Sequence, residues 1–321
     1  DLRKKLALFC NVKPEAVIQS IDVDTIYDVP IKMLEEGLDK VVLNKLKLKP
    51  KSSLDLEDWK VFLKKYKNPK KKVKIGLVGK YVELQDSYKS ILEALTHASA
   101  INETEVEVVS IHSEFLNQIN VKEELKDLQG IIVAPGFGGR GIEGKIDAIC
   151  YVRENKIPFF GICLGMQIAV IEYSRNVLMQ PNANSTEIDE NTDYPVIDIM
   201  ESQKGVVNKG GTMRLGSWDC DLTKGSKVAS IYKDHIIAER HRHRYEFNNT
   251  YKPEVFDKGG LKVSGVNPAT ELVEIIENEN HPWFIGVQFH PEYKSTVSNP
   301  HPLFVAFIKA SIDYLSAQQS T

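Results

Sequence analysis

The stretch PFFGICLGMQ at 158–167 indicates the fold, because a buried strand pattern breaks at a glycine and passes directly into a helix pattern. Gly161, Cys163 and Gly165 have the spacing of the G-x-S-x-G nucleophile elbow, with sulfur in place of oxygen. That turn needs small residues on either side of a nucleophile held in a strained backbone conformation. The start of a helix also favours a thiolate through the helix dipole. We therefore predict that Cys163 is a nucleophile; the alternative is a small apolar core residue.

Strand and helix patterns alternate on both sides of this stretch. Strand-like runs at 72–79, 106–112, 130–136 and 157–163 alternate with helical stretches at 86–100, 120–128, 144–155 and 164–177. Later runs at 195–200, 211–218, 245–249, 261–266, 271–278 and 283–290 look antiparallel, and a last helix covers 302–317. The pattern predicts an α/β fold: an open, mostly parallel sheet flanked by helices, with additional antiparallel strands.

The chain before this domain has a different character. Residues 1–50 show a short helix, strand-like alternation at 16–30 and a helix at 31–46, which together are too few to bury a core. A helix at 54–66 and a lysine-rich run around Asn68-Pro69 make 51–72 a linker in our interpretation. The alternative for this run is contact with nucleic acid, but apart from Tyr66 it lacks the interleaved aromatic residues of such sites.

Composition restricts the class of protein. The 321 residues are 42% hydrophobic and 26% charged, which is typical of one large or two modest globular domains. Four widely spaced cysteines without a C-x-x-C pair predict neither disulfides nor a metal site, and we expect a cytoplasmic setting. Because the net charge is −3 and no apolar run approaches about 18 residues, we expect neither nucleic acid nor membrane as a partner. The start at Asp1, within a helical pattern, predicts the later part of a longer protein.

A glycine-rich loop follows the third predicted strand. Residues 136–141 match G-x-G-x-x-G, and 139–145 match G-x-x-x-x-G-K, although Ile146 replaces the hydroxyl that would hold magnesium. Phosphate binding is therefore one alternative. We favour a loop at the carboxyl edge of the sheet beside Cys163, where ligands bind in open α/β folds. The backbone N–H groups of Gly136 and Leu164 could then form an oxyanion hole.

His290 is the best candidate for the base that a cysteine nucleophile requires. It ends an apolar strand in FIGVQFHPE, where Pro291 stops the ladder and Glu292 follows two positions later. A turn there lets the carboxylate orient one imidazole nitrogen while the other faces the thiol. The run RHRHRYE at 240–246 is predicted to be a polar strand or loop that suits an anionic group.

These motifs carry a resemblance to a known family. GICLGMQ, the glycine-rich loop with Phe137 and FHPE, in that order, resemble the class I (triad) glutamine amidotransferases, in which a Cys-His-Glu triad hydrolyses glutamine. Segments at 78–95, 182–187, 210–216, 239–249 and 301–307 resemble the CTP synthase family, and 9–30 resembles the end of its amidoligase domain. The resemblance implies an amidoligase end at 1–50, a linker at 51–72 and a glutamine amidotransferase type-1 domain at 73–321.

The resemblance also implies roles for individual residues. Cys163 would attack glutamine, His290 would transfer the proton and Glu292 would orient His290. Glutamine would be held by Gly136, Leu164, Gly165, Met166, Gln167, Glu187 and Arg244, with Arg244 on its carboxylate and Glu187 on its ammonium group. Nucleotide contacts would fall at Lys5, Ile21, Asp22 and Val23. Pro135 stands where the family more often has glycine, and we expect function to survive because Gly136 keeps its backbone donor.

The implied activity is that of a ligase of pyrimidine nucleotide biosynthesis. ATP, with Mg²⁺ in the upstream amidoligase domain, would activate UTP, and ammonia from glutamine would convert it to CTP. GTP would act as an activator involving Arg140 and the loop at 210–216, and the full-length enzyme would be a homotetramer. The alternatives are another glutamine-hydrolysing subunit, a γ-glutamyl hydrolase, or an assembly module with a vestigial triad.

Overall fold

The computed structural model describes residues 1–50, 52, 54–200, 203, 213–257 and 260–319, without the side chain of Gln85. The chain forms two compact units, Asp1–Lys67 and Asn68–Thr321.

The first unit is helical. Its helices are α1 (Leu2–Phe9), α2 (Val29–Glu35), α3 (Leu38–Leu46) and α4 (Glu57–Lys67), with 3₁₀ turns at Pro14–Ala16 and Ile26–Asp28. The strand predicted at 16–30 is wrong, because a strand needs a pairing partner and no described residue of this unit forms one. The helix predicted at 31–46 is divided at Gly37, whose φ of +75° ends α2 before α3 begins.

Helix α4 occupies much of the predicted linker at 51–72. It packs against Tyr27, whose carbonyl accepts a hydrogen bond from the indole Nε1 of Trp59 at 2.7 Å, and whose ring meets that of Phe62 edge-on. Lys67 Nζ lies 2.7 Å from Asp28 Oδ2 at the end of the same helix. The residues up to Lys67 therefore belong to the first compact unit, while the division into an amidoligase end, a linker and an amidotransferase domain stays a prediction.

The second unit is the α/β part. Its strands are β1 (Lys71–Gly79), β2 (Thr104–His112), β3 (Gly130–Val133), β4 (Phe159–Ile162), β5 (Ala183–Ser185), β6 (Tyr194–Ile199), β7 (Arg214–Leu222), β8 (Ile236–His243), β9 (Tyr245–Phe247), β10 (Leu261–Val266), β11 (Val273–Asn278) and β12 (Phe284–Val287). Its helices are α5 (Lys89–Ile101), α6 (Val121–Leu125), α7 (Ile142–Glu154), α8 (Leu164–Asn176), α9 (Lys227–Tyr232), α10 (Lys252–Asp257) and α11 (Pro302–Gln318). Short 3₁₀ turns lie at Gln85–Tyr88, Asn249–Tyr251 and Pro291–Lys294.

The main sheet has nine strands in the order β2-β1-β3-β4-β12-β11-β10-β7-β8. Neighbours from β2 to β12 are parallel, and those from β12 to β8 are antiparallel. Strands β5, β6 and β9 form a separate small sheet. The predicted fold class, a mostly parallel sheet with helices and additional antiparallel strands, is confirmed.

Strand β4 is buried on both faces, as expected for a central parallel strand covered by helices. Phe159 stacks on Phe284 with ring centroids 4.2 Å apart on one face, and Phe160 meets Trp283 and Phe304 edge-on on the other. The strand that leads to Cys163 is thus held from both sides, which gives the following turn a rigid base.

Strand β8 includes 240–243 of the run at 240–246, which is predicted to be a polar strand or loop. Its alternation buries His241 and His243 and exposes Arg240 and Arg242, so polar side chains lie on both faces but only the arginines face solvent. The predicted strand at 211–218 begins outside the described residues, since 211 and 212 are not among them, and β7 starts at Arg214.

Candidate active site

Cys163 occupies a sharp turn between β4 and α8. Its backbone has φ +53° and ψ −104°, a conformation that L-residues rarely adopt, and its N–H donates to the Val287 carbonyl at 2.7 Å. The flanking glycines permit close packing: a Cβ at Gly165 would lie 2.2 Å from the Val133 oxygen, and one at Gly161 would lie 2.8 Å from the Gly165 backbone. This is the strand–turn–helix geometry that the G-x-C-x-G spacing predicts.

His290 and Glu292 form a buried pair beyond the end of β12. His290 Nδ1 lies 2.7 Å from Glu292 Oε1, within the turn that Pro291 begins, and the Tyr293 ring stacks on the imidazole. Burial disfavours the imidazolium, but the Glu292 carboxylate and the Cys163 thiolate outweigh it and raise the pKa of His290 well above its usual value. His290 Nε2 is buried and has no hydrogen-bond partner among the described residues, so this nitrogen is available to a reacting group.

Cys163 and His290 open into one cavity of about 250 Å³. It is lined by Tyr81, Ser87, Tyr88, Pro135, Gly136, Phe137, Cys163, Arg242, His290 and Tyr293. A larger cavity of about 470 Å³, bordered by α9 and α11, has neither cysteine nor histidine in its lining. The chemistry therefore points to the smaller cavity.

The glycine-rich loop runs from the end of β3 past Cys163 to α7. Lys80 Nζ donates to the Phe137 carbonyl, and the Gly138 N–H donates to Glu187 Oε1 at 2.8 Å. Gly138 and Gly141 have φ values of +73° and +71°, which explains glycine at both positions. The loop thus lies at the carboxyl edge of the sheet beside Cys163, as the sequence predicts.

Lys145, the lysine of the G-x-x-x-x-G-K pattern, lies beneath this loop. It is completely buried, and its Nζ donates to the Ala134 carbonyl at 3.0 Å. Burial lowers its pKa to about 7, with a further contribution from the charge of Lys80 and an opposing one from the Cys163 thiolate. Because the amine is directed inward to a backbone carbonyl, the geometry does not support the alternative of a phosphate-binding lysine.

The predicted glutamine contacts lie around the same turn. Leu164, Gly165, Met166 and Gln167 form the first turn of α8, directly after Cys163. Gln167 Nε2 donates to the Tyr245 carbonyl at 2.8 Å and to Gln288 Oε1 at 3.1 Å.

The two charged residues predicted to hold glutamine come from other segments. Arg244 follows β8 and donates from Nη1 to Gln203 Oε1 at 2.6 Å. Glu187 follows β5 and accepts the Gly138 N–H already described.

The residues predicted to contact nucleotides belong to the first unit. Lys5 is exposed on α1. Ile21, Asp22 and Val23 border a cavity of about 480 Å³, together with Lys60 and Lys67 of α4. Arg140, predicted to take part in the response to GTP, pairs with Glu114 at 3.1 Å and lies over the Tyr81 ring at 5.3 Å. The loop at 210–216 lies outside the described residues at 210–212.

Sequence reasoning missed Gln288. It is buried two positions before His290, and its Nε2 donates to Cys163 Sγ at 3.7 Å. The period of two along a strand is a signal that could have found it, because residues i and i+2 share a face.

The described part of the chain contains neither a candidate metal site nor a candidate membrane-spanning helix. There, no group of three or more histidine, cysteine, aspartate or glutamate side chains is arranged to hold a metal ion. The helices described are also too short or too polar to span a bilayer.

Comparison with known families follows the division seen in the structure. Residues 83–310 match the family described as glutamine amidotransferase class-I, and residues 1–48 match the family described as CTP synthase N-terminus. The first match includes Cys163, His290 and Glu292.

Curated relatives resemble the chain over nearly its whole length. It is 68% identical over 98% of its residues to a CTP synthase of Flavobacterium psychrophilum, and 55% identical over 98% to one of Bacteroides fragilis. The chain spans 58% of the length of each of these relatives.

Among solved structures, the chain is similar to the CTPS glutaminase domain of Trypanosoma brucei with bound acivicin. The TM-score is 0.71 and the identity 39%, and the similarity covers 75% of this chain and 94% of that one. A protein of Thermoplasma acidophilum described as part of a GMP synthase is 16% identical with a TM-score of 0.50, over 77% and 98% of the two chains, and supports the fold alone.

Proposed function

This chain belongs to the class I glutamine amidotransferase family, and we propose that its second unit hydrolyses glutamine to glutamate and ammonia. The observation that carries the proposal is the arrangement in one cavity of a cysteine at a strained elbow and a histidine paired with a carboxylate. A nucleophile, a base and a group that orients the base are the parts that covalent amide hydrolysis requires.

The proposed reaction has two stages. Cys163 Sγ attacks the carboxamide carbon while His290 takes the thiol proton and then passes it to the departing ammonia. His290 next takes a proton from water, which attacks the thioester and releases glutamate and the thiol. Glu292 stabilises the imidazolium in both stages, in accord with the raised pKa of His290. The N–H groups of Gly136 and Leu164 would hold the oxyanion, where each donor typically contributes about 3 kcal/mol.

Substrate recognition falls to the charged residues around the loop. In the proposal Arg244 pairs with the carboxylate of glutamine and Glu187 with its ammonium group. Their present partners within the chain include Gln203 for Arg244 and the Gly138 N–H for Glu187, so binding would exchange or share these hydrogen bonds. Gly165, Met166 and Gln167, in the first turn of α8, would complete the glutamine site.

We extend the proposal to the whole enzyme: the chain is the later part of a cytoplasmic CTP synthase. Ammonia made at Cys163 would displace phosphate from UTP that ATP has phosphorylated at the 4-oxygen, giving CTP. ATP and Mg²⁺ would be bound in the amidoligase domain, with contacts at Lys5 and 21–23, and GTP would activate the glutaminase near Arg140. The match of 1–48 and the names of the relatives support this extension. A homotetramer of the full-length enzyme stays a prediction from the family resemblance.

The test is glutamate release from glutamine by this chain, with and without GTP. Cys163→Ala should reduce the rate at least about a thousandfold, because it removes the nucleophile. Cys220→Ala is the matched control, since Cys220 is also buried but lies on β7 away from the elbow; it should stay within about threefold of the parent. Retained activity in Cys163→Ala would overturn the proposal.

A second arm tests the extension. In the full-length enzyme, Cys163→Ala should abolish CTP formation from glutamine but spare formation from free ammonia. Loss of both would contradict a role for Cys163 limited to supplying ammonia.

A further inference from the structure

A chain of two buried side-chain amides leads to Cys163. It begins at the Tyr245 carbonyl, which accepts from Gln167 Nε2 at 2.8 Å. The same nitrogen donates to Gln288 Oε1 at 3.1 Å, and Gln288 Nε2 donates to Cys163 Sγ at 3.7 Å. Gln167 and Gln288 are 3% and 1% exposed, so water does not compete for these hydrogen bonds.

The direction of each amide in this chain follows from chemistry. A carbonyl only accepts, so Gln167 must present its NH₂ group to Tyr245. That NH₂ group then requires an acceptor in Gln288, which turns the Oε1 of Gln288 toward Gln167 and its NH₂ toward Cys163. The Tyr245 carbonyl also accepts from His243 Nδ1 at 2.9 Å, which holds the starting point of the chain in place. The network therefore aims an N–H donor at the sulfur.

We propose that Gln288 is a catalytic residue that donates a hydrogen bond to the Cys163 thiolate, and that Gln167 is the positioning residue that fixes the orientation of the Gln288 amide. The inference rests on the proposed function in taking Cys163 as the nucleophile. It deepens that function by giving Gln167 a task besides lining the substrate site, since both protons of its Nε2 already have acceptors within the chain.

The expected effect is electrostatic. A donor at the sulfur favours the thiolate over the thiol, and the thiolate is the reactive form. The titratable and charged groups around this site come from four parts of the second unit. They are His290, Glu292 and Tyr293 after β12, Lys145 on α7, Lys80, Tyr81 and Tyr88 after β1, and Arg242 with the His241–His243 pair on β8. Substitution of Gln288 leaves all of these groups in the chain, so a change in the titration of Cys163 would report the lost donor.

The experiment is the pH dependence of Cys163 alkylation by iodoacetamide in the full chain. Peptide mass spectrometry reads Cys163 separately from the exposed Cys10 and the half-buried Cys150. Gln288→Met keeps the length of the side chain but removes the donor. It should shift the profile to higher pH by about one unit, which corresponds to about tenfold slower alkylation at each pH on the acidic limb. Gln167→Met should shift the profile in the same direction by a smaller amount.

Gln129→Met is the matched control. Gln129 is also a buried glutamine, but it bonds to the backbone of Lys74 and Asp127. It lies at the amino end of β3, whereas Cys163 follows the carboxyl end of the neighbouring strand β4. Its profile should coincide with that of the parent, and thermal unfolding of each variant verifies the fold. If Gln288→Met does not fold, Gln288→Ala decides, because it also removes the donor without adding a charge and should shift the profile upward by about one unit.

The inference is overturned if a Gln288 variant folds and its alkylation profile superimposes on the parent profile. Failure of the proposed function gives a different result: no glutamate release by the parent chain, whatever the alkylation profile does. The two readouts therefore separate a wrong role for Gln288 from a wrong function for the site.

Discussion

At the scale of single residues, Lys145 shows how much this site relies on burial. Its amine has no exposed surface, and it bonds to the Ala134 carbonyl under the loop that carries Gly136. Burial, with the charge of Lys80, lowers the pKa of Lys145 to about 7, whereas an unfolded chain leaves a lysine at about 10.4. Below pH 7 both states bind the proton, so the buried charge destabilises the native state in full. Between about pH 7 and pH 10 only the unfolded state binds it, and stability rises with pH.

Lys145→Met is therefore expected to stabilise the chain near neutral pH. The variant loses the hydrogen bond to Ala134 but also the buried charge, and the free energy of unfolding should rise by about 2 kcal/mol at pH 6.5. The gain should vanish or reverse near pH 10, where the native lysine is neutral. Urea unfolding at the two pH values measures the change, with the exposed Lys122→Met as control. A gain that does not depend on pH would contradict the assigned titration.

At the scale of elements, the turn between β4 and α8 depends on the absence of a side chain at Gly165. Helix α8 approaches β3 so closely that a Cβ at this position would lie 2.2 Å from the Val133 oxygen. Strand β3 cannot move away easily, because it pairs with both β1 and β4. The local preference for alanine over glycine in a helix therefore gives way to the packing between the two elements.

Gly165→Ala tests this contact, because the expected change in stability has the opposite sign to that of the same substitution in a free helix. In a free helix the change stabilises by about 1 kcal/mol, but here we expect a loss of about 3 kcal/mol from the forced shift of α8. Gly139→Ala is the control, since its Cβ would meet Ile188 at an ordinary 3.6 Å and should change stability by less than about 1 kcal/mol. Equal urea midpoints for the two variants would show that α8 can move away from β3.

At the scale of the whole molecule, the two units differ in how much core they contain. The described residues of the first unit bury the apolar side chains of Ala7, Tyr27, Phe62 and Leu63, and leave others such as Phe9 exposed. The second unit has an extensive core on both faces of its nine-stranded sheet. It also contains all three residues of the proposed triad.

A fragment of residues 68–321 is accordingly expected to fold and to work alone. Its thermal midpoint should lie within about 3 °C of that of the chain, and its glutamate release within about threefold, because its core and site are its own. Calorimetry and the glutamine assay measure both. A fragment that unfolds without cooperativity would show that the second unit depends on residues 1–67.

The outcome of the sequence predictions depends on how local each feature is. The elbow at Cys163 and the fold class were predictable because glycine spacing and strand–helix alternation are encoded over short stretches. The strand predicted at 16–30 failed, since a strand forms only where a partner lies alongside, which a local pattern does not specify. The helix predicted at 31–46 failed at Gly37, which ends α2 and caps α3 in a left-handed conformation.

By itself, the sequence determined where the sharp turn with Cys163 stands, that a parallel sheet leads to it, and which histidine and carboxylate follow a neighbouring strand. Only the tertiary structure decided what surrounds the sulfur. Gln288 reaches Cys163 across 125 positions of the chain. Lys145 lies under the loop because α7 packs its first turn there. The physical reason is that backbone patterns arise between near neighbours, whereas the environment of a buried side chain is made by segments that meet only when the sheet has formed.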